Sequence, residues 1–198
     1  MINIILDSSN RYLSVGLSEK EVIDSISYEA WQQQSEFIIP ELDKLLKKNN
    51  FTRDDIGCVI VSKGPGSYTG IRLSISIAKV ICLACKAKMI TLSSLEVLQD
   101  LNKISICLMD ARSGRSYISV YNKHDVILED QIMNNIDVMN YINTHKEYTV
   151  CGDTKYLKID SYKADIIFNM NELAKLSESL SDPLSAKPIY LKDEYATI

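Results

Sequence analysis

The chain has 198 residues, of which 46% are hydrophobic and 24% charged, a composition typical of folded globular proteins rather than disordered or fibrous ones. This length is enough to bury one core or two smaller ones. A net charge of -4 at pH 7 argues against a broad basic surface for nucleic acid. Any contact with RNA is therefore expected to be indirect or local.

The beginning of the chain carries no recognisable targeting signal. The sequence MINIILDSSN has neither a basic region nor a small-residue cleavage site, so we expect a cytoplasmic protein. The longest apolar run lies between Ile71 and Cys85 and is interrupted by Arg72 and Lys79. We predict that it is too short and too polar to span a bilayer.

Five cysteines, an odd number, favour reduced buried thiols over a disulfide framework. Cys82 and Cys85 form a CxxC pair, but a zinc site needs two more ligands. The two histidines, His124 and His145, lie in a different region. We therefore predict no metal site and interpret both thiols as small core residues of a helix.

The first segments predict a meander of strands and then a helix. Apolar or alternating residues indicate antiparallel strands at 3–7, 12–17 and 21–29. A helix follows Ser35, because apolar residues recur three or four positions apart from Ile38 to Leu46. Pro40 is unfavourable inside a helix, so we expect the regular helix to begin or kink near it.

The next segments alternate strand and helix. The continuous apolar stretch at 57–62 is typical of a strand buried on both faces. After the loop KGPGSYTG, the spacing of apolar residues predicts a helix at 71–86, although LSISI alternates like a strand. A short strand at 89–91 and a helix at 93–102 follow, with Ser93 in a capping box.

A second round of the same order begins at once. It predicts strands at 104–109, 116–121 and 126–131, a helix at 136–143, a strand at 148–151 and a helix at 171–179. Three strands followed by alternating helices and strands is the order of ribonuclease H-like domains. The sequence therefore predicts an α/β protein of two such lobes, residues 1–102 and 103–198.

The most specific motif is GPGSYTGIR, from Gly64 to Arg72, between a buried strand and an apolar helix. Phosphates bind at this position in α/β folds because glycines admit close approach and a helix N-terminus offers free N–H groups. The spacing is neither a Walker loop nor a dinucleotide-binding GxGxxG. The alternative is a tight strand-to-helix turn, with Ser67 or Thr69 capping the helix.

Two acidic residues end predicted strands in matching places of the two halves. Asp7 is followed by two serines, and Asp110 begins the run DARSGRSY. Such carboxylates would flank a nucleotide between the lobes, although an Asp at a strand end is also a common turn former. With the loop, the phosphate-turn or nucleotide-interface candidates are Asp7, Ser8, Ser9, Gly66, Ser67, Tyr68, Thr69, Gly70, Asp110 and Arg112.

With the DSS turn, the GPGSYTGIR loop and DAR in view, the whole chain resembles the TsaB family, also called YeaZ, of tRNA threonylcarbamoyladenosine biosynthesis proteins. The resemblance runs from the first strand to PIYLK at 188–192. The segment QSEFIIPELDKLL is similar to the family's first helix. One departure is Gln34, where the family commonly has a histidine with no assigned catalytic role.

The resemblance implies a two-lobed fold of the actin, sugar kinase and Hsp70 type with a shortened second lobe. It also implies a non-catalytic scaffold, required with TsaD and TsaE to form the threonylcarbamoyl group on the adenosine next to the anticodon. TsaD carries a metal site on HxxxH, which this sequence lacks. The chain would then have no cofactor of its own, with ATP or ADP expected only at the partner interface and tRNA met only through the complex.

The resemblance further implies pairing with a TsaD-like subunit, or a homodimer when alone, through the first two helices. On a helical wheel Leu73, Ile77, Val80 and Ala84 form a face that serves the core. The second face has small residues that would admit a partner helix, or else it packs under the chain's own neighbouring helix. The predicted partner-interface residues are Ile38, Leu42, Leu45, Ile71, Ser74, Ile75, Ala78 and Cys82.

Two other functions use the same fold. One is a stand-alone ATPase or phosphotransferase with magnesium held by Asp7 and Asp110, and the other is a glycoprotease-like peptidase. Neither has a convincing set of residues, and no Ser-His-Asp grouping or GxSxG motif is visible. We therefore assign no catalytic residue.

Overall fold

The computed structural model describes residues 1–123, 125–177 and 180–191. The first lobe contains β1 (Ile2–Asp7), β2 (Tyr12–Ser18), β3 (Val22–Glu29), α1 (Gln34–Lys48), β4 (Ile56–Ser62), α2 (Tyr68–Cys85) and β5 (Lys88–Leu92). The second contains β6 (Ser105–Arg112), β7 (Arg115–Asn122), β8 (Asp125–Asn134), α3 (Asn135–Thr144) and β9 (Thr149–Gly152), and α4 (Ile166–Leu176) follows. The predicted positions His124, Ser179 and Lys192 lie outside the described residues.

Each lobe is built on a mixed sheet. The first sheet has the order β3-β2-β1-β4-β5, in which β1, β4 and β5 are parallel and the meander β1 to β3 is antiparallel. The second sheet has the order β8-β7-β6-β9, with β9 parallel to β6. Within the described residues it has one strand fewer than the first. The predicted two-lobed α/β fold with a shortened second lobe is confirmed.

Helices cover both faces of the first sheet. On one face α1 packs over β2 and β3, and α2 packs over β1, β4 and β5. Ile4 and Val59 of the sheet share a buried cluster with Ile71 and Ile75 of α2. On the other face α4 packs over the same strands. Parallel strands that are apolar on both sides require this double cover. α4 comes late in the chain but packs on the first sheet. The division of the chain into lobes of residues 1–102 and 103–198 stays a prediction.

The predicted helix at 93–102 is wrong. Only a single 3-10 turn, Glu96–Leu98, forms there. Its N-cap residue is Leu95. Ser93 lies just before it, where its hydroxyl accepts a hydrogen bond from the backbone N–H of Leu95 at 3.1 Å and its own N–H donates to the Glu96 carboxylate at 3.3 Å. The amide nitrogen of Asn169 on α4 donates to the carbonyl oxygens of Val97 and Gln99 at 2.9 and 2.7 Å. These tertiary bonds replace the ones that an α-helix would have formed within itself.

α1, α2 and α4 begin earlier than predicted, α2 at Tyr68 instead of residue 71. α1 begins at Gln34 and contains Pro40 inside it, so the proline does not set its start. α4 begins at Ile166, capped by the Asp165 carboxylate, which accepts from the backbone N–H of Phe168 at 3.0 Å. The Asp165 cap sets the start of α4, whereas the N-cap residue of α1, Gln33, makes no side-chain cap bond.

The length and composition of α2 contradict the prediction that this segment is too short and too polar to span a bilayer. Its 18 residues have a mean hydropathy of 1.4, so by length and composition alone it is apolar enough to cross a bilayer. In the structure Ile71, Ile75 and Ala78 are buried against the first sheet. α2 therefore has the position of a core helix in an α/β lobe.

Candidate functional site

The loop before α2 and the turn after β1 hold each other in place. The backbone N–H of Ser67 donates to the carbonyl oxygen of Ser9 at 2.6 Å. The Ser8 hydroxyl donates to the carbonyl oxygen of Gly70 at 2.8 Å. Ser67 is also the N-cap of α2, with its hydroxyl accepting from the backbone N–H of Gly70 at 3.3 Å. The turn and the helix start therefore form one rigid unit.

Three glycines of this loop are required by contacts within the chain. A Cβ atom at Gly66 or Gly70 would overlap backbone carbonyl oxygens of the turn after β1. A Cβ atom at Gly64, whose φ is +105°, would overlap the carbonyl oxygen of Ile189. The absence of a side chain at these three positions is therefore explained by close contacts within the chain.

Asp7 ends β1 and is 1% exposed. Its carboxylate accepts hydrogen bonds from the Ser62 hydroxyl and, at 3.1 Å, from the backbone N–H of Ser9. Burial raises the pKa of Asp7 above its ordinary value of 3.8, and the hydrogen bonds from the two serines oppose this only in part. The side chain is therefore an internal anchor of the turn rather than an open ligand for magnesium.

The other candidates lie around a cleft between the lobes. A cavity of about 430 Å³ is lined by Ser9, Gly66 and Ser67 from the first lobe and by Asp110 and Arg112 from the second. The Asp110 carboxylate accepts the backbone N–H of Arg112 at 2.7 Å. The two strand-end acids thus differ, since Asp110 faces the cleft and Asp7 is sealed below it.

A second cavity, of about 510 Å³, shares residues with the first. It is lined by Tyr68, Thr69 and Gly70 at the start of α2 and by Gln34 at the start of α1. Trp31 lines both cavities. The structure therefore brings together every nucleotide candidate except Asp7 and Ser8, which are buried beneath the cleft.

Sequence reasoning missed three side chains on the second lobe's side of the cleft, Asp153, Lys155 and Tyr156. Burial raises the pKa of Tyr156 to about 12, and its hydroxyl donates to that of Ser116 at 2.6 Å. Asp153, Lys155 and Tyr156 follow β9. Residues that follow parallel strands lie at the edge of the sheet where ligands bind, so their position after a predicted strand could have identified them. Among the described residues, no group of three His, Cys, Asp or Glu side chains is arranged to hold a metal ion.

Comparison with known proteins decides the family. The family model described as "TsaD: tRNA N6-adenosine threonylcarbamoyltransferase" matches residues 26–181, most of the chain. Its similar curated relatives include proteins called "tRNA threonylcarbamoyladenosine biosynthesis protein TsaB". The chain belongs to the TsaD-related TsaB/YeaZ family.

The relatives are distant. The TsaB protein of Buchnera aphidicola subsp. Schizaphis graminum is 31% identical, over 64% of this chain and 63% of its own length. That of Bacillus subtilis is 27% identical, over 74% of this chain and 67% of its own. The match therefore spans about two thirds of these relatives. A solved structure described as YeaZ from Pseudomonas aeruginosa has a TM-score of 0.77 at 15% identity and covers 96% of this chain and 99% of its own, which shows the shared fold.

In this TsaB/YeaZ chain the predicted roles of the two faces of α2 are reversed: the predicted partner face is buried and the predicted core face carries the exposed Val80. The residues predicted to meet a partner all face the chain's own first core and are buried there: Ile38, Leu42, Leu45, Ile71, Ser74, Ile75, Ala78 and Cys82. The small side chains let α2 approach its own sheet closely. These positions are therefore not available to a partner, and that prediction is corrected.

The opposite face of α2, its open face, was expected to serve the core; it is exposed at its centre, while its Leu73 and Ile77 pack against the edge of the first core. Val80 is 66% exposed and Leu83 is 57% exposed, while Leu73 and Ile77 are only half-buried.

Gln34 has a structural role in this member of the TsaB/YeaZ family. It is 7% exposed, and its side-chain amide donates to the carbonyl oxygen of Asn10 at 2.7 Å. This bond ties the first residue of α1 to the turn that holds the loop before α2.

Proposed function

We propose that this chain is the non-catalytic scaffold subunit that acts with a TsaD-like transferase and a TsaE-like ATPase. The product of that assembly is the threonylcarbamoyl group on the adenosine next to the tRNA anticodon. Family membership supports this role, because the related proteins are called threonylcarbamoyladenosine biosynthesis proteins. The protein is proposed to act in the cytoplasm and to meet tRNA only through the complex.

The packed glycine loop is the observation that carries the non-catalytic assignment. An active phosphate loop keeps free backbone N–H groups around an open space. Here the N–H of Ser67 is used by Ser9, and the glycine positions abut backbone carbonyl oxygens. With Asp7 buried as well, the end of β1 and the glycine loop anchor the first lobe, which supports a non-catalytic role.

The open face of α2 is the proposed contact with the TsaD-like subunit, and with a second copy when the protein is alone. Val80 and Leu83 provide exposed apolar surface at its centre. Burying such side chains against a partner would contribute free energy roughly in proportion to the apolar area removed from water. We propose ATP or ADP, if bound, at the shared cleft, where Arg112 and Lys155 offer cationic groups.

The test is reconstitution. The wild-type chain is expected to co-elute with the TsaD-like subunit of its own organism and, with the TsaE-like ATPase, to support modification of unmodified tRNA. Val80→Arg should remove both properties while the protein stays folded. Ile136→Arg is the matched control, because Ile136 is an equally exposed apolar residue on α3 of the other lobe.

Failure of the wild-type chain to bind or to support modification would reject the proposed role. Binding by Val80→Arg at wild-type strength would place the interface elsewhere. Modification by the TsaD-like and TsaE-like proteins without this chain would show that it is not a required subunit.

A further inference from the structure

A C-terminal segment of this chain, Ser181 to Leu191, runs along α2. We call it the strap. Its first residue extends the edge of the first sheet, since the backbone N–H of Ser181 donates to the carbonyl oxygen of Met89 on β5 at 2.8 Å. The side-chain oxygens of Ser181 and Thr91 lie 2.9 Å apart. The strap therefore starts where the sheet ends and continues it by one bridge.

The strap then crosses from the middle of α2 to its first residue. The Lys79 ammonium donates to the carbonyl oxygen of Leu184 at 3.2 Å. Further along, the backbone N–H of Ile189 donates to the carbonyl oxygen of Lys63 at 2.7 Å. The Tyr190 ring stacks on that of Tyr68, with centroids 4.8 Å apart and planes 27° from parallel.

The glycine loop has the shape that the strap needs. Gly64 makes room for the carbonyl oxygen of Ile189, which a Cβ atom would overlap. The first glycine of the most specific sequence motif is thus used to seat the strap.

The strap is held mainly by backbone bonds, and its larger side chains point outward. Leu184 is 69% exposed and Tyr190 is 44% exposed, and only the small Ala186 packs against the first core. A segment that shows apolar side chains while its backbone is fixed is suited to recognition, because little ordering entropy remains to be lost on binding.

Among the charged side chains of α2 and the strap, basic ones outnumber acidic ones. α2 carries Arg72 and Lys79 and no acidic residue, and the strap adds Lys187 against a single acid, Asp182. The whole chain has a net charge of -4, so this face differs from the rest. An apolar surface with a basic rim fits an apolar partner face that is rimmed by carboxylates.

We propose that the strap is the second wall of the partner-binding face, beside the open face of α2. This rests on the proposed function, and the occupant is the TsaD-like subunit, presenting an apolar helix with an acidic rim. Leu184 and Tyr190 contact that helix directly, and Lys187 faces its carboxylates. The strap and α2 thus recognise the partner together.

Affinity for the purified TsaD-like subunit tests the proposal, measured by titration calorimetry on variants that melt like the wild type. Leu184→Arg and Tyr190→Ala should each raise Kd by about tenfold or more, as expected for central contacts. Lys187→Glu should weaken binding and reduce its dependence on salt. Ile136→Arg, with a comparably exposed apolar side chain on the other lobe, should bind normally.

The outcomes separate the two proposals. If Val80→Arg weakens binding but Leu184→Arg, Tyr190→Ala and Lys187→Glu bind like the wild type, the strap is not part of the interface and the open face of α2 still is. If Val80→Arg binds like the wild type, the proposed interface is wrong and the strap proposal falls with it. If only Tyr190→Ala loses affinity and Leu184→Arg and Lys187→Glu bind normally, the stack of Tyr190 on Tyr68 has a purely structural role. That result would overturn the strap proposal.

Discussion

The Ser62 hydroxyl at the end of β4 donates a hydrogen bond to the buried carboxylate of Asp7 at the end of β1. This bond joins two neighbouring parallel strands at the edge where ligands of α/β sheets bind. In the ATPase alternative Asp7 would hold magnesium. Here its carboxylate instead accepts a hydrogen bond from Ser62 within the chain. Its behaviour with pH follows from the burial of Asp7.

Asp7→Asn is expected to stabilise the protein at neutral pH. Burial raises the pKa of Asp7 above its ordinary 3.8, so between the unfolded and folded pKa values the folded state binds more protons. Stability therefore falls as pH rises through that window. The amide oxygen of Asn can still accept both serine hydrogen bonds, without the charge. Each unit of raised pKa corresponds to about 1.4 kcal/mol.

Thermal unfolding between about pH 4 and pH 7 checks this, because the gain from Asp7→Asn should grow as pH rises. Asp110→Asn, at an exposed strand end, is the control for removing one negative charge. A variant that is less stable than the wild type at neutral pH would show that the hydrogen bonds favour the charged carboxylate.

Gly66→Ala should cost far more stability than Gly114→Ala. Both glycines have positive φ, +147° and +74°, so both substitutions strain the backbone, by about 1–3 kcal/mol. Only at Gly66 does the new Cβ atom overlap a carbonyl oxygen, while nothing lies within 4 Å of that at Gly114. We expect a loss of about 3 kcal/mol or more for Gly66→Ala. Equal losses in urea unfolding would contradict the close packing of the loop.

Asn169→Ala should destabilise the junction between α4 and the 3-10 turn. Asn169 is 3% exposed, and its loss leaves the carbonyl oxygens of Val97 and Gln99 without this donor. An unsatisfied buried polar group costs about 1–3 kcal/mol. The exposed Asn140 on α3 provides a control, since Asn140→Ala should change stability by less than about 0.5 kcal/mol. Similar melting temperatures for both variants would contradict the role of Asn169.

Ala78→Arg and Val80→Arg should separate the two faces of α2. Ala78 is fully buried against the first sheet, whereas Val80 is 66% exposed. A charge forced into the core without a partner costs several kcal/mol, so Ala78→Arg should unfold or melt much earlier. Val80→Arg should melt like the wild type. Circular dichroism measures both, and a stable Ala78→Arg protein would contradict the assignment of the core face.

The isolated chain is expected to show no ATP turnover, because the backbone N–H of Ser67 is already bonded to Ser9 and Asp7 is buried. Phosphate release by the purified protein, measured with magnesium present, checks this. Turnover that survives further purification and is lost in Asp110→Asn and Arg112→Ala would make the ATPase the preferred function. Loss of turnover on purification alone would identify a contaminant.

Local pattern determined most of the elements of this protein. Alternation and apolar spacing were sufficient for the meander, for α2 and for all three antiparallel strands of the second sheet, because burial of one face imposes a period on the sequence. The same pattern located the turn after β1 and the loop before α2 at one edge. Those residues were sufficient to indicate the family.

Only the tertiary structure decided which face of each element packs against the rest of the chain. Both faces of α2 are apolar, so sequence alone had no means to tell the core face with Ala78 from the open face with Val80. The turn at Glu96–Leu98 stayed short because Asn169, more than seventy positions later, binds its carbonyl groups. The glycines seat the turn after β1 and the strap through contacts with residues far away in the chain. Such long-range contacts leave no periodic trace in the sequence, since their energy depends on where the folded chain returns.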